Sequence, residues 1–315
     1  MEITSHIVTT PPRDASSVVL LRDGVTGLEV FLMRRANASD VLGGAYVFPG
    51  GKLDEADTHL ARTLPMDHPP HELVRRLGEP ALSADNALAL YVAAVREAYE
   101  ECGVLFAHAA PVTGAAVGGV ATAAHGLGGD AGGRSNGGSA GGVDSGFLPR
   151  VQVPGVRLAV SGLLPWSRWV TPRQASLMNK RFDTRFFLAA MPAAQEAVHD
   201  DHETTHSEWM TPRDALTRYW GHEFAMAPPQ IMSLVQLARH SSVASALAEA
   251  TTRRPPTIEP EPFDEDGMRV ICYPGDGRHT VAQPVMPGPT RLMFRNKRFE
   301  PASGTLAELL AGAHG

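Results

Sequence analysis

Arg96-Glu97-Ala98-Tyr99-Glu100-Glu101-Cys102-Gly103-Val104 brings three carboxylates and a guanidinium together just ahead of a glycine. At the helical period, Glu97, Glu100 and Glu101 fall within roughly 100° of one another, and Leu88, Tyr91, Val92, Val95, Ala98, Tyr99 and Cys102 gather on the far side. The spacing predicts an amphipathic helix with a buried apolar stripe and an acidic face turned to a cleft. Carboxylates this close repel and raise one another's pKa unless a cation sits among them. Hard oxygen donors suit Mg²⁺ or Mn²⁺ better than zinc. A solvated acidic helix face is the plain alternative for such a charge run, so the surroundings have to decide.

Upstream stands Gly44-Ala45-Tyr46-Val47-Phe48-Pro49-Gly50-Gly51-Lys52-Leu53-Asp54-Glu55-Ala56-Asp57, an apolar strand ending in a proline-glycine-glycine loop. Paired glycines let a backbone approach a ligand more closely than bulkier residues would.

The glycine loop followed by Arg-Glu-x-x-Glu-Glu-x-Gly resembles the signature of the Nudix hydrolases. Gly51 matches the first glycine of that signature, Asp57 stands where a glutamate is expected, and Arg96 through Val104 match its second half. Between Asp57 and Arg96 lie 38 residues where the family usually has seven, an insertion of 31. A subgroup that includes the peroxisomal coenzyme A diphosphatases of mammals carries an insertion at this place, and the likeness extends along most of the chain. It includes Trp166-Ser167-Arg168-Trp169-Val170-Thr171-Pro172, Arg181 to Phe187, Pro228-Pro229-Gln230, and Asp264-Glu265-Asp266-Gly267 followed by Tyr273-Pro274-Gly275-Asp276.

The resemblance implies an α+β fold of Nudix type, an α/β/α sandwich around a mixed sheet, and hydrolysis of a diphosphate joined to a nucleoside. It implies that Glu97, Glu100 and Glu101 ligate Mg²⁺ or Mn²⁺ with help from the Gly50 carbonyl, and that Arg96 orients these carboxylates, paired to an acid such as Asp57. Glu203, six residues before Trp209, is the candidate late acid that binds metal or activates water, with Asp200 and Asp201 as competitors. Gly51, Arg34, Arg35, Lys52, Arg168 and Arg181, with Arg185, are the candidates to meet substrate phosphates, and the sequence does not sort them from ordinary surface charges. Gly44-x3-Phe48-Pro49-Gly50-Gly51 is similar to the tail of a motif found in coenzyme A-cleaving members, although Asp40 stands where that motif has arginine. Coenzyme A or an acyl derivative is the leading substrate, with ADP-ribose, NADH and dinucleoside polyphosphates as alternatives.

Two other classes compete. His202-Glu203-Thr204-Thr205-His206 fits the His-Glu-x-x-His pattern of zinc peptidases, which requires both histidines on one helical turn. The adjoining threonines and Pro212 weaken a helix there. A catalytically silent ligand-binding module is the second, and an intact acidic triad argues against it.

Composition narrows the field further. A formal charge of -6 and a pI near 6.1 disfavour a nonspecific nucleic-acid binder. Two cysteines, Cys102 and Cys272, make no disulfide framework, which suits a reducing compartment; Cys102 falls on the apolar helix face as a small buried hydrophobe. No stretch reaches the length of a membrane span, and the first residues lack the pattern of a secretory signal. The expectation is a cytoplasmic enzyme acting on a small molecule, without membrane or nucleic-acid partners, with a homodimer left open.

Around the acidic helix, Ser16 to Leu21 and Leu28 to Met33 read as strands joined by the turn Asp23 to Gly27. Ser83 is the expected N-cap of the acidic helix and Gly103 its stop. The whole chain, 1–315, reads as one domain. Within it, 58–82 is an inserted flap beside the site with a short helix near His71 to Leu77. The stretch 111–148 is a flexible glycine-rich loop, with 13 glycines among the 33 residues from Gly114 to Gly146. Next come a Trp-bearing loop, a strand from Phe182 to Ala190, a helix from Pro212 and one long helix from Pro229 to Leu247. In the C-terminal extension, 255–315, a terminal strand or hairpin is expected at Met268 to Tyr273.

Overall fold

The computed structural model describes residues 7–36, 43–109, 146–174, 180–200 and 204–311. Its centre is a mixed sheet opened by β1 (Arg13–Gly24) and β2 (Gly27–Arg35), an antiparallel hairpin closed at Gly24 and Gly27. The short strands β3 (Tyr46–Val47) and β4 (Gly50–Lys52) follow, pairing with β2 and β1. Helices α1 (Glu55–Thr63), α2 (Pro70–Leu77) and α3 (Ala84–Cys102) come next. Beyond them, β5 (Ala107–His108) pairs with β6 (Arg157–Leu158), and α4 (Phe147–Val151) lies between the two.

The sheet is completed by β7 (Leu164–Val170), β8 (Phe182–Ala190) and β9 (Thr204–Met210). Helices α5 (Pro212–Trp220), α6 (Pro228–Leu237) and α7 (Val243–Thr252) then lead to β10 (Thr257–Ile258). The strand order is β10-β7-β8-β1-β2-β3, with β4 on β1 and β9 on β2; the β1/β8 and β10/β7 pairs are parallel and the others antiparallel. A second sheet is a meander of β11 (Glu261–Glu265), β12 (Met268–Cys272), β13 (Arg291–Arg295) and β14 (Arg298–Glu300), followed by α8 (Leu306–Ala311).

Strand β1 is buried on both faces, as a strand between two helical layers must be. Val18 and Leu20 point to a core shared with Leu60, Leu73, Leu77, Leu90, Tyr91 and Val95 of α1 to α3. Val19 and Leu21 point the other way, toward Leu216, Ile231, Leu234 and Ala246 of α5 to α7. The expected α/β/α sandwich around a mixed sheet is therefore present. The second sheet adds Ile271, Tyr273, Leu292 and Phe299 to the latter core. It is tied there by Tyr219, whose hydroxyl accepts from the Phe299 N–H at 2.7 Å and donates to the Phe299 carbonyl at 3.0 Å.

Several local expectations need correction. The inserted segment is a packed helical pair, α1 and α2, that contributes Leu60, Ala61, Leu73 and Leu77 to the core, so it is a structural wall more than a flap. The Trp-bearing loop is strand β7, with Trp166 and Trp169 buried. The long helix is two helices: α6 ends at Leu237, and Ser242 caps α7 by accepting from the Ser245 N–H. The terminal hairpin is a four-stranded meander. Most of the glycine-rich stretch, 110–145, lies outside the described residues.

Candidate active site

Helix α3 begins as expected, with the Ser83 hydroxyl accepting from the Asn86 N–H at 3.2 Å, and ends at Gly103 in the left-handed conformation, φ 72°. Its apolar stripe docks on β1, where Ser16 donates to the Leu90 carbonyl at 2.7 Å. That docking sets the C-terminal half of α3, and with it Glu97, Glu100 and Glu101, over the glycine loop.

Gly50 is required by close approach, and Gly51 leaves room for a carboxylate. A Cβ on Gly50 would lie 2.7 Å from the Ser17 Cα, against backbone that cannot give way. One on Gly51 would lie 2.6 Å from the carboxyl carbon of Glu97. The Gly50 N–H donates to Glu101 Oε2 at 2.7 Å. The Gly50 amide thus touches the acidic face.

Arg96 organises the rest. Its Nε and Nη2 donate to the two oxygens of Asp57, each at 2.8 Å, and its Nη1 donates to Glu97 and Glu100, also at 2.8 Å. A further bond runs from Nη2 to the Lys52 carbonyl at 3.2 Å. Asp57 is itself fixed by the capping box that opens α1, accepting from the Asp54 N–H at 2.9 Å. The expected pairing of Arg96 with Asp57 is therefore present, and the shorter Asp side chain suffices because α1 carries it to the guanidinium.

Charge is out of balance here. Asp57, Glu97 and Glu100 share a single guanidinium, Arg96, and Glu101 stands beside them on the Gly50 amide. Burial pushes the Glu97 carboxyl up to about 7; Arg96 draws it back, and Glu100 and Asp57 push it further. Burial also opposes the Arg96 charge, but the Asp57 hydrogen bonds and the charges of Glu97, Asp57 and Glu100 outweigh it and hold that group protonated. A surplus of buried carboxylate oxygens is the donor chemistry of a hard divalent cation, and on that ground the residues fit one. Among the described residues, no three His, Cys, Asp or Glu side chains converge on one point as they stand, since Glu97 and Glu100 turn oxygens to Arg96 and Glu101 turns one to Gly50.

The remaining candidates separate. Arg34 is exposed and lies near the Tyr46 hydroxyl, facing Tyr46 and His206 across β3 and β9. Arg35 stands next to it. Lys52 pairs with Asp54 at 2.7 Å at the surface. Arg168 and Arg181 are committed elsewhere: Arg168 grips Asp183 and Glu79, and the buried Arg181 donates to the Thr171 carbonyl and lies 3.6 Å from Glu259. They hold the fold, with Arg185 joining the first group through Glu79 and Asp14. This network was not legible in sequence, because Glu79 belongs to the insertion and gives no motif.

Glu203 and its competitor Asp201 lie outside the described residues, whereas Asp200 accepts from the Thr204 hydroxyl at 3.0 Å. Residues from Thr204 onward form strand β9, so His206 cannot follow His202 on a helical turn and the zinc-peptidase reading fails. Cys102 is buried and its thiol is pushed up to about 12 by burial, as befits a packing residue. No described helix is long and apolar enough to cross a membrane.

Comparisons with known proteins agree with this geometry. The acyl-coenzyme A diphosphatase NUDT19 of Xenopus laevis is 25% identical over 291 residues, covering 81% of this chain and 72% of the relative. The human protein of that name is 27% identical over 241 residues, covering 69% and 62%. The crystal structure of a NUDIX hydrolase from Alicyclobacillus acidocaldarius superposes with a TM-score of 0.55 at 26% identity, over 76% of this chain and 97% of that one. The family model described as NUDT19 Nudix domain matches residues 9–237, which include the glycine loop, the insertion and the acidic helix, and the chain belongs to that Nudix family.

Proposed function

We propose that the protein is a metal-dependent diphosphatase of coenzyme A and its acyl esters. The observation that carries this reading is the excess of carboxylate around Gly50 and Gly51, assembled on a chain whose NUDT19 relatives are named acyl-coenzyme A diphosphatases.

Glu97, Glu100 and Glu101 would hold Mg²⁺ or Mn²⁺, which when bound neutralises diphosphate charge and makes a coordinated water more acidic. The protein's own contribution is placement. Asp57 fixes Arg96, Arg96 spaces Glu97 and Glu100, and the bare Gly51 leaves room for the Glu97 carboxylate. Exposed Arg34 and Lys52, on the strands flanking the loop, are the groups to steady the substrate's phosphates. Hydrolysis forms a new bond from water oxygen to one phosphorus and breaks that phosphorus's bond to the bridging oxygen. The water's proton passes to a carboxylate, for which Glu203 is the proposed acceptor.

The test is incubation with coenzyme A, octanoyl-coenzyme A, ADP-ribose, NADH and a dinucleoside polyphosphate in the presence of Mg²⁺ or Mn²⁺. The expected products of coenzyme A are 3′,5′-ADP and phosphopantetheine, with loss of turnover in Glu100→Gln and Glu101→Gln. Faster cleavage of another substrate would reassign the leaving group. Tight binding without turnover would turn the reading into a ligand-binding module.

A further inference from the structure

Gln195 ties the segment after β8 to the exit of the acidic helix. Its side-chain amide donates to the Leu105 carbonyl and accepts from the Leu105 N–H, each at 2.8 Å, across 90 residues of sequence. Leu105 stands two residues past Gly103, the stop of α3. Gln195 itself closes a turn, donating its N–H to the Pro192 carbonyl at 3.1 Å. An amide that fills both polar groups of one backbone residue fixes separation and orientation together, as a single hydrogen bond does not.

Further contacts carry the segment past the helix. The Val198 N–H donates to the Cys102 carbonyl at 3.1 Å, one residue from Glu101. Ala197 is buried in the core that holds Cys102 and Val104. His199 Nδ1 then lies 2.9 Å from Ser207 Oγ on β9. Ser207 pairs with Met33, whose side chain belongs to the core under α3, so this crossing is made on the face of the sheet that carries the acidic helix. Asp200 follows Val198 by two residues, a reach of at most about 7 Å, and accepts from the Thr204 hydroxyl where β9 begins. Asp200 and Glu203, both candidates for the late acid, stand on the segment that Gln195 fastens.

We propose that Gln195 is a positioning residue for the hydrolysis, its clasp on Leu105 setting the acid of the β8–β9 segment against the glutamates of α3; the assignment rests on the diphosphatase reading above. The helix exit is a fixed reference, because Gly103 ends α3 and Val104 and Phe106 are buried. The segment has little apolar burial of its own, with Ala193, Ala194, Glu196 and Val198 exposed, so hydrogen bonds decide where it lies. Attack by water depends on that placement, since a displacement of about 1 Å can cost about 100-fold in rate. Substrate affinity does not, since Arg34 and Lys52 stand on β2 and β4.

Two variants test the clasp. Gln195→Leu removes both hydrogen bonds, whereas Gln195→Glu keeps the acceptor for the Leu105 N–H and sets a second oxygen against the Leu105 carbonyl. With coenzyme A and Mn²⁺, kcat of Gln195→Leu is expected to fall about 10- to 100-fold at unchanged KM, and Gln195→Glu should lie between it and the wild type. Hydrogen exchange, read without metal or substrate, should quicken at 196–200 and 204–207 in Gln195→Leu and match the wild type across α3 and β1. Wild-type kcat in Gln195→Leu, a loss carried by KM, or a fallen kcat with unchanged exchange would each overturn the assignment while leaving the diphosphatase reading intact. A wild type that cleaves no diphosphate overturns that reading, and this assignment with it.

Discussion

Both carboxylate oxygens of Asp57 accept from the Arg96 guanidinium, at 2.8 Å each, although 38 residues stand between the two in sequence. Asp57 is fully buried and Arg96 nearly so. An uncompensated charge at such a place is costly, and breaking one partner of a buried pair typically costs about 3–5 kcal/mol. Asp57→Asn is expected to fall at the low end, about 3 kcal/mol, because Glu97 and Glu100 still neutralise Arg96. Urea unfolding measures the loss. Turnover should fall as well, since a loosened Arg96 no longer spaces the two glutamates.

Neighbouring glycines should respond differently to the same substitution. Gly50→Ala sets a Cβ against the backbone of Ser16 and Ser17, so β4 must shift and both stability and turnover should drop. Gly51→Ala meets the Glu97 carboxylate instead, which can swing aside. That variant should unfold near the wild-type temperature yet require about tenfold more Mn²⁺ for half-maximal activity. Equal thermal stability of both variants would contradict the geometry.

Cation binding and proton release at Glu97 are linked. A carboxyl pushed up to about 7 by burial holds its proton in the folded state at pH values where the unfolded chain has lost it. Without metal, stability from this group therefore declines as pH rises from about 4.5, its ordinary value, toward 7. A cation binds the deprotonated form, so the rise in melting temperature on adding Mn²⁺ should be larger at pH 8 than at pH 6. Glu97→Gln should remove most of that difference in differential scanning fluorimetry.

In the C-terminal sheet, hydrogen bonds from Arg291 hold the Asp276 carboxyl below its ordinary value. A lowered carboxyl pKa contributes stability that is present above the unfolded value of 3.8 and is lost as pH falls through the folded value. Asp276→Asn is expected to be less stable than wild type at neutral pH by about 1–3 kcal/mol. The gap should close below pH 3.8, which acid unfolding of the two proteins checks.

Most of the site was legible because its signals are local. Ser83, the apolar stripe and Gly103 delimit α3 within a single window, and Gly50 and Gly51 stand out by residue type alone. Helix α1 was missed although Asp54 and Asp57 have capping-box spacing, because its apolar content is sparse and its partner, α3, comes later in the chain. Arg168 and Arg181 stand unsorted among the phosphate-contact candidates because a cation's partner is invisible until Glu79, Asp183 and Glu259 are brought to it. The strand character of His206 was hidden under a short motif that register on β2 overrules.

The family match ends at residue 237, yet Tyr219 inside it is satisfied by Phe299 outside it, and Tyr273, Leu292 and Phe299 sit in the same core as Leu216 and Ile231. The end of the family model and the end of the packed core thus fall at different places in this chain. A fragment cut at residue 237 would leave α5 and α6 with bare apolar flanks and an orphaned phenol, and is a poor starting point for expression.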